Sequence, residues 1–341
     1  MDYPDEKLIG FFYDPNIHPY SEYQLRLLDV QHSCNKLGIE LIEGAYDFEN
    51  WLNIVKGFEK EPEKGKRCEL CFDRRFEVSA NKALELGETS FTTTLLVSPL
   101  KSQEQLKNSG KIFYKQHNIK FIAVDYRSNG GTQDQSRVTK EQKLYRQDYC
   151  GCIFGLTMQR EQQNKIMDEL FSPISNQILP ASIEERLEIY TKRITLEENN
   201  KNYKIIKQKF LNYRQFNLKV IAGKKENINA YALNYSTLPR KKAQGRIEFE
   251  NNNIHYLNRE EIKFITLELF NNFANTQYSS VKELIFNPPS FNDEFLIRNQ
   301  IINLSYNLTP IIVVDEIIDK KLTIFLDAKT YEDTKEIIMI I

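Results

Sequence analysis

The sequence has no long apolar run. No stretch of its 341 residues approaches the roughly 18 apolar residues of a membrane-spanning helix, and no signal-peptide core follows Met1. We therefore expect a cytoplasmic protein. In that reducing compartment, closely spaced cysteines serve metal binding or catalysis rather than a framework of stabilising disulfides.

The sequence also has no excess of positive charge. Its 46 Lys and Arg residues and 47 Asp and Glu residues give a net charge of −1. This balance excludes a globally basic nucleic-acid binder, so an RNA ligand would have to be met by a local basic patch. The glycine-rich Walker loop and the Rossmann fingerprint are missing too, and ATP or NAD binding is not predicted.

Cysteine is scarce, yet four of the five cysteines form two close pairs. Cys68 and Cys71 open a predicted helix, where the helix dipole favours the thiolate that binds a metal or attacks a substrate. Cys150 and Cys152 flank Gly151, whose backbone freedom allows the bend that a very small disulfide ring needs. Strained disulfides of this kind are the labile and catalytic ones.

The spacing alone leaves several functions open for these thiols. A zinc site with four cysteine ligands is one interpretation, and an iron–sulfur cluster is another. The closer pair fits either a redox role or plain metal ligation. Cys34 stands alone in a predicted helix and is expected to be a buried packing residue.

The first half of the chain alternates between apolar strands and helices. Strands are predicted at residues 8–13, 39–42, 90–97 and 120–125, and helices at residues 21–37, 48–56, 68–86, 102–116 and 135–144. Apolar strands between helices indicate an α/β fold with a parallel, Rossmann-like sheet that has helices on both faces.

After Cys152 the pattern changes. Residues 182–209 are charged and predicted to be helical, and later strands mix with helices near residues 259–272 and 293–302. The predicted organisation is an α/β domain over residues 1–160, a helical linker over residues 161–210 and a smaller α+β domain over residues 211–341.

Ligands of parallel α/β sheets bind beyond the carboxyl ends of the strands. Three predicted loops leave strands at that edge, at residues 14–19, 92–101 and 125–134. The first loop contains Asp14, whose carboxylate suits ligation of a metal or transfer of a proton. It also contains His18, for which a capping or packing role is the alternative to a catalytic one.

Basic and aromatic residues lie close to these motifs. The basic ones suit an RNA backbone and the tyrosines suit stacking on an unpaired base; they are Arg67, Arg74, Arg75, Lys101, Arg137 and Arg146, with Tyr13, Tyr145 and Tyr149. The alternative is an ordinary solvated charged face.

Four segments together resemble the QueH family, the epoxyqueuosine reductases of tRNA queuosine synthesis. They occur in the family's order within residues 7–156: Tyr-Asp-Pro-Asn-Ile-His-Pro at 13–19, Arg-Cys-x-x-Cys at 67–71, Phe-Thr-Thr-Thr-Leu-Leu-Val-Ser-Pro at 91–99 and Tyr-Arg-Gln-Asp-Tyr-Cys-Gly-Cys at 145–152. The resemblance implies reduction of epoxyqueuosine to queuosine at the wobble position of tRNA. The tail beyond about residue 160 is outside it.

The resemblance also implies cofactors. Family members hold a [4Fe-4S] cluster through a Cys-Cys pair on a first strand and the Cys-x-x-Cys motif, and they carry a redox-active disulfide at Cys-Gly-Cys. Here Cys68 and Cys71 would be cluster ligands, and Cys150 with Cys152 the redox pair. An adjacent iron is known in the family, and the hypothesis is that Asp14 or a redox cysteine binds it.

One family feature is missing from the sequence. The strand with the Cys-Cys pair should precede Asp2, where this sequence has no residues. Two explanations are a misplaced start at Met1 and a truncated copy that cannot build the normal cluster, and we favour the misplaced start.

Two other functions compete with the reductase. One is a zinc-stabilised tRNA-binding module without catalysis. The other is a thiol-based tRNA-modifying enzyme such as a sulfurtransferase, against which the missing nucleotide-binding loop argues. For residues 210–341 the sequence suggests no more than an extension of the tRNA contact, and it does not identify the electron donor.

Overall fold

The structure is a computed structural model of the chain. It describes residues 6–98, 102–128, 130–171, 175, 177–257, 262–304 and 307–341. The chain forms two compact units. The first comprises Met1–Leu170, Arg186–Ile205 and Ile340–Ile341, and the second comprises Phe171–Glu185 and Ile206–Met339. Across the described residues, no helix is both long enough and apolar enough to cross a membrane.

The first unit begins with two parallel strands joined by a helix. β1 (Ile9–Phe12) leads into α1 (Tyr20–Leu37), and the chain returns through β2 (Glu40–Glu43), which pairs with β1 in parallel. Gly38 adopts a left-handed conformation and ends α1. A small core forms under this crossover; its buried members are Phe12, Ile17, Tyr23 and Leu27.

A second parallel pair follows in the same unit. Its elements are α2 (Phe48–Val55), α3 (Lys66–Glu85), β3 (Ser90–Phe91), α4 (Gln103–His117) and β4 (Lys120–Phe121), and β3 pairs with β4 in parallel. A separate core supports this part; its buried members are Phe72, Phe76, Ala80, Leu96, Leu106 and Ile119.

Three further helices follow in the chain. They are α5 (Gly131–Glu141), α6 (Ile153–Gln162) and α7 (Ile183–Glu198), and α7 belongs to the first unit from Arg186 onward. Parallel strands need crossover connections, which helices supply here. The predicted α/β fold class is therefore confirmed.

Within the part of the second unit that the structure describes there are two sheets and three helices. Its strands are β5 (Tyr203–Ala222), β6 (Glu226–Ile228), β7 (Ala230–Ala232), β8 (Lys242–Gly245), β9 (Ile247–Asn251), β10 (Ile254–Leu257), β11 (Ile262–Thr266), β12 (Ile311–Val314) and β13 (Leu322–Ile340), and its helices are α8 (Leu267–Ala274), α9 (Val281–Phe286) and α10 (Phe291–Ile302). The sheet orders are β7-β12-β11-β10-β9 and β6-β5-β13-β8. One core contains residues of both sheets, and another packs the five-stranded sheet against the helices. The smaller α+β region predicted for the C-terminal part is confirmed.

The predicted strand at residues 90–97 is wrong beyond its first two residues. Thr94–Val97 forms a single 3₁₀ turn, and the Thr93 hydroxyl accepts a hydrogen bond from the Leu95 N–H at 3.3 Å. Threonine hydroxyls compete in this way with the sheet ladder for backbone donors. The last predicted residues of this loop, 99–101, lie outside the described residues.

Two helices of the C-terminal half are predicted too long. The helix predicted over residues 182–209 ends at Glu198, where Asn200 takes a left-handed conformation before β5 begins. The helix predicted near residues 259–272 begins only at Leu267. Thr266 caps it by accepting a hydrogen bond from the Leu269 N–H, and the preceding residues form β11.

Candidate active site

The loop after β1 is packed into the first unit. Tyr13, Asn16 and Ile17 are buried in it. The Tyr13 hydroxyl donates to an Asp47 carboxylate oxygen at 2.8 Å, and burial together with this carboxylate raises the pKa of Tyr13 to about 12. The predicted ligand-binding loop is therefore fixed by its own apolar and hydroxyl side chains.

Asp14 belongs to this loop, and its side chain contacts α3. Its carboxylate forms an ion pair with the Arg75 guanidinium, and both side chains are mostly buried. Arg75 follows Cys71 by one helical turn, and its charge also favours the Cys71 thiolate. Arg75 thus connects the predicted site residue Asp14 to the Cys68–Cys71 pair.

The Cys150–Cys152 loop precedes α6, and Cys152 occupies the position just before that helix. Gly151 has a φ of +103°, a conformation that side chains rarely adopt. A Cβ atom at Gly151 would lie 2.8 Å from Cγ1 and 3.2 Å from Cα of Ile17. Only glycine fits between the two cysteines, because both the backbone conformation and the available space require it.

Three hydrogen bonds join the two loops. The His18 N–H donates to the Gly151 carbonyl at 2.9 Å, and the Tyr149 hydroxyl donates to the His18 carbonyl at 2.6 Å. The Asn16 side-chain amide donates to the Cys150 carbonyl at 3.5 Å. Loops that are more than 130 residues apart in sequence therefore pack together, which places His18 beside Gly151 of the Cys150–Cys152 loop.

Arg26 of α1 supports the same loop from inside. Its guanidinium donates to the Tyr149 carbonyl at 3.0 Å and to the Cys150 carbonyl at 3.2 Å. The fully buried Glu22 accepts from Arg26 Nε at 2.7 Å and from the Tyr145 hydroxyl at 2.9 Å. Burial raises the pKa of Glu22, while Arg26 and Tyr145 oppose that shift. The backbone on both sides of Cys150 is thus tied to a buried ion pair.

Cys71 of the first cysteine pair meets both cysteines of the second pair in one apolar cluster. Cys71 and Cys152 are both buried in it, and Cys150 packs against it; the other members are Trp51, Val55, Phe48, Leu52, Leu70 and Phe154. Cys68 packs instead against the separate core that contains Phe72 and Phe76, and Cys34 lies outside the cluster. The structure therefore brings the predicted ligand Cys71 together with the predicted redox residues Cys150 and Cys152.

Cys68 lies at the start of α3, as predicted. It is half-buried, and its sulfur accepts a hydrogen bond from the Lys64 N–H at 3.3 Å. Its neighbour Cys71 is buried, and burial raises the pKa of the Cys71 thiol to about 11. Arg75 and the Trp51 indole act in the opposite direction, because both favour the thiolate.

Cys152 also favours its protonated form. A hydrogen bond with Cys150, burial and the charge of that neighbouring sulfur raise the pKa of the Cys152 thiol. The Gly155 N–H of α6 and the Arg67 guanidinium lower it. Cys150 and Cys152 therefore form a hydrogen-bonded dithiol, with two groups in place that would stabilise a thiolate on Cys152.

Several buried polar atoms around the cluster have no hydrogen-bond partner among the described residues. They are Asn16 Oδ1, His18 Nδ1, Trp51 Nε1 and Arg67 Nε. The rings of His18 and Phe48 stack at 4.7 Å, and burial lowers the pKa of His18. Unpaired buried polar atoms are costly, and in native proteins they mark strained or functional sites.

The site provides half of the cysteine ligands that an iron–sulfur cluster needs. Cys68 and Cys71 supply two thiols at one helical spacing, and Trp51 packs with Cys71 in one cluster, where its indole favours the thiolate. Hydrogen bonds to the sulfurs tune iron–sulfur clusters. In the part of the chain that is described, no three His, Cys, Asp or Glu side chains are grouped as a metal site. The resemblance assigns the remaining ligands to a Cys-Cys pair ahead of Asp2.

Most of the basic residues predicted to bind RNA form hydrogen bonds or ion pairs with other residues of the first unit. Arg67 is buried and donates to the Glu59 carbonyl at 2.7 Å, while Arg74 pairs with Asp47 and Glu77. Arg137 pairs with Asp134 and Glu141 on the surface of α5. Arg146 is exposed, and Lys101 lies outside the described residues.

The three tyrosines predicted to stack on a base have internal roles. Tyr13 is 5% exposed and Tyr149 is 7% exposed, so neither ring is open to a nucleobase. The Tyr145 ring packs edge-on against Tyr190 of α7 with centroids 5.4 Å apart. The stacking prediction is wrong for Tyr13 and Tyr149, because both rings are buried and their hydroxyls donate inside the unit, to Asp47 and to the His18 carbonyl.

Comparison with known proteins gives the same family that the motifs resemble. The family model described as epoxyqueuosine reductase QueH matches residues 2–158. An epoxyqueuosine reductase QueH of Helicobacter pylori is 40% identical over 343 aligned residues, which cover 95% of this chain and 90% of that protein. The chain belongs to the QueH family. A QueH protein of Thermotoga maritima is 38% identical over 46% of this chain and 83% of its own length. One of Histophilus somni is 39% identical over 43% of this chain and 60% of its own length.

The QueH site includes residues that sequence reasoning missed. Trp51 is the only tryptophan of the chain, and this rarity is the sequence signal that could have identified it. Arg26 and Glu22 gave no signal, because an ordinary amphipathic helix also carries such a pair at i and i+4. Their role depends on contacts with a loop more than 120 residues later.

Proposed function

We propose that this QueH protein reduces epoxyqueuosine to queuosine at the wobble position of tRNA. The observation that carries the proposal is the single buried cluster that contains Cys71, Cys150 and Cys152 in a chain of this family. Residues 1–160 are assigned to catalysis. We also assign the reaction to the cytoplasm, where the Cys150–Cys152 pair can be returned to its reduced form.

The stoichiometry of the reaction matches a dithiol. Removing the epoxide oxygen to leave an alkene takes two electrons and two protons and releases water. Cys150 and Cys152 supply both when their two S–H bonds break and one S–S bond forms. The raised pKa of Cys152 keeps its proton on sulfur until it is needed, while Arg67 and the Gly155 N–H stabilise the thiolate as the proton leaves.

The resting dithiol must be restored after each turnover. Cys68 and Cys71 would hold a [4Fe-4S] cluster, which supplies one-electron transfers when bound. Burial of Cys71 and Cys152 in one apolar cluster keeps water away from both sulfurs. The adjacent iron is proposed to lie at Asp14, and the Asp14–Arg75 ion pair would hold that carboxylate in place.

The test removes one redox sulfur. Cys152→Ser keeps a side chain of similar size but cannot form the disulfide, so we expect turnover of epoxyqueuosine-containing tRNA to be abolished. The product is measured by mass spectrometry of the digested nucleosides, after anaerobic purification and iron analysis of each variant. Cys34→Ser is the matched control, because Cys34 lies outside the cluster.

Three outcomes separate the possible functions. Turnover in the wild type and in Cys34→Ser, with none in Cys152→Ser at equal iron content, supports the proposal. Undiminished turnover in Cys152→Ser contradicts the role of the disulfide. A wild-type protein that contains zinc and binds tRNA without turnover would favour the non-catalytic binding module.

A further inference from the structure

α7 lies outside the residues that the family model matches, yet most of this helix belongs to the first unit, which also contains the Cys150–Cys152 loop. The family match ends at residue 158, and α7 covers Ile183–Glu198. From Arg186 onward it belongs to the first unit. An element of the C-terminal region is therefore part of the unit that carries the candidate active site.

Arg193 is the deepest contact that α7 makes there. Its side chain is fully buried and forms an ion pair with Asp29 of α1. It also donates to the Lys143 carbonyl at 2.7 Å, and its guanidinium lies 5.2 Å from the centre of the Tyr190 ring. A fully buried guanidinium is costly unless its partners are well placed, so this geometry fixes both Asp29 and the chain at Lys143.

Asp29 connects Arg193 to the segment that leads into the Cys150–Cys152 loop. Its second carboxylate oxygen accepts a hydrogen bond from the Tyr145 N–H at 2.7 Å. The Tyr145 hydroxyl in turn donates to Glu22, the residue that holds Arg26. The chain is thus anchored at residues 143 and 145, directly before the segment on which Arg26 acts.

Arg26 completes the connection at the cysteine loop itself. It donates to the carbonyls of Tyr149 and Cys150. Two buried ion pairs, Arg193–Asp29 and Arg26–Glu22, therefore hold opposite ends of the segment from residue 143 to residue 150. Each hydrogen-bonds to backbone in this segment, so loss of either ion pair would release it.

We infer that α7 is a brace for the redox loop, and that Arg193 is a positioning residue for Cys150 and Cys152. The inference rests on the proposed redox role of these cysteines only for its consequence in turnover. Arg193, acting through Asp29 and Tyr145, holds the Cys150–Cys152 loop in the position in which the Cys152 thiol is buried. Positioning groups of this kind matter because small displacements of reacting atoms lower rates strongly.

The test measures the loop directly, without tRNA. The full chain reacts with iodoacetamide, in which each attacking sulfur forms an S–C bond, iodide leaves and the thiol proton passes to the buffer. Mass spectrometry gives separate rates for Cys150, Cys152 and Cys34, the last as an internal reference. In Arg193→Met we expect the rates at Cys150 and Cys152 to rise about tenfold, since a lost buried contact changes an opening equilibrium by roughly that factor.

Matched variants isolate the ion pair. Lys192→Met removes a neighbouring exposed charge of α7 and should leave all three rates unchanged. Asp29→Asn keeps the shape of the partner and should reproduce the effect of Arg193→Met, whereas Arg193→Lys keeps the charge and should fall between. Asp29→Asn and Arg193→Lys carry the test if Arg193→Met does not fold. Because the two residues act through one contact, the double variant should be no more reactive than either single variant.

The outcomes also separate this inference from the proposed function. Faster alkylation at Cys150 and Cys152 with an unchanged rate at Cys34 supports the brace, whether or not the wild type turns over tRNA. Unchanged rates in folded variants with lowered melting temperatures would mean that Arg193 is a stability residue only, and the brace would be rejected. A parallel rise at Cys34 would also reject it, because the loosening would then be global.

Discussion

The two units each bury a network of charged side chains, and the networks differ in what they leave unpaired. In the second unit, the fully buried Glu294 accepts hydrogen bonds from Gln177 at 2.8 Å, from the Tyr231 hydroxyl at 2.7 Å and from the Asn234 N–H. Arg298 donates to the Asn307 and Thr309 carbonyls and to Ser236, which completes a network without cysteine. All of these contacts hold strands and helices together.

The network of the first unit lies beside the cysteines instead. Arg26 and Arg193 use their charge to hold the segment that leads to Cys150, while Trp51 and Arg67 keep unpaired N–H groups around the same cluster. Unsatisfied buried donors cost stability, so a fold retains them where they serve a ligand or a reaction. In the second unit the buried network connects strands and helices, whereas in the first unit it also holds the segment that leads to the candidate redox cysteines.

The largest expected effect comes from breaking the complete network. Glu294→Leu removes the acceptor of three hydrogen bonds, of whose donors only the Gln177 amide keeps a second acceptor among the described residues, the Pro289 carbonyl. It should lower the free energy of unfolding of the second unit by about 3–5 kcal/mol. Hydrogen exchange measured by mass spectrometry should show faster exchange in β7 and α10, with unchanged alkylation of Cys150. Glu316→Leu, at an exposed carboxylate of the same unit, is the control. A Glu294→Leu protein as stable as the wild type would mean that the network is not structural.

The next largest effect is expected at the cysteine loop. Gly151→Ala imposes a side chain on a φ of +103° and on Ile17, and it should cost about 2–4 kcal/mol and open the Cys150–Cys152 loop. Gly87→Ala is the matched control, because Gly87 also has a positive φ, of +77°, but a Cβ there would meet no atom within 4 Å. It should cost only about 1 kcal/mol. Urea denaturation measures both, and equal costs would show that contact with Ile17 adds nothing.

The sequence alone located the candidate motifs along the fold better than it located the contacts between them. Cys68 and Cys71 lie at the start of α3, and Asp14 lies in the loop after β1, because motif spacing and strand ends are local properties. The ion pair between Arg193 and Asp29 joins residues 164 positions apart. A buried charge has no sequence periodicity of its own, so such a contact cannot be distinguished from a solvated one before the chain is folded.

The same limit explains the errors in the fold. The α/β class follows from runs of apolar residues, and it is confirmed. The 3₁₀ turn at Thr94–Val97 and the end of α7 depend on single side chains, the Thr93 hydroxyl and Asn200, whose hydrogen bonds or left-handed conformation override the average preference of their neighbours. The role of Trp51 also depends on one contact, with the Cys71 sulfur.

The smallest expected effect lies at the outer end of α7, where the charged network of the first unit reaches solvent. Glu197 contacts His32, Lys36, Tyr203 and Arg193. Burial raises its pKa, but the hydrogen bonds from Lys36, Tyr203 and His32 outweigh burial and lower the pKa from 4.5 to about 2. The folded state therefore binds protons at Glu197 less readily than the unfolded state, so this contribution to stability is complete above about pH 4.5 and is lost as the pH falls toward 2.

Glu197→Gln removes this titration while keeping the shape of the side chain. We expect the variant to be less stable than the wild type at pH 7 by about 1 kcal/mol, a value reduced for solvent screening because the carboxylate is partly exposed. The difference should shrink between pH 4.5 and pH 2, as measured by urea denaturation at each pH, and Glu188→Gln on the exposed side of α7 gives the baseline. A difference that stays constant over this range would show that Glu197 acts through shape rather than charge. In that case the charged part of the α7 brace would be confined to Arg193 and Asp29.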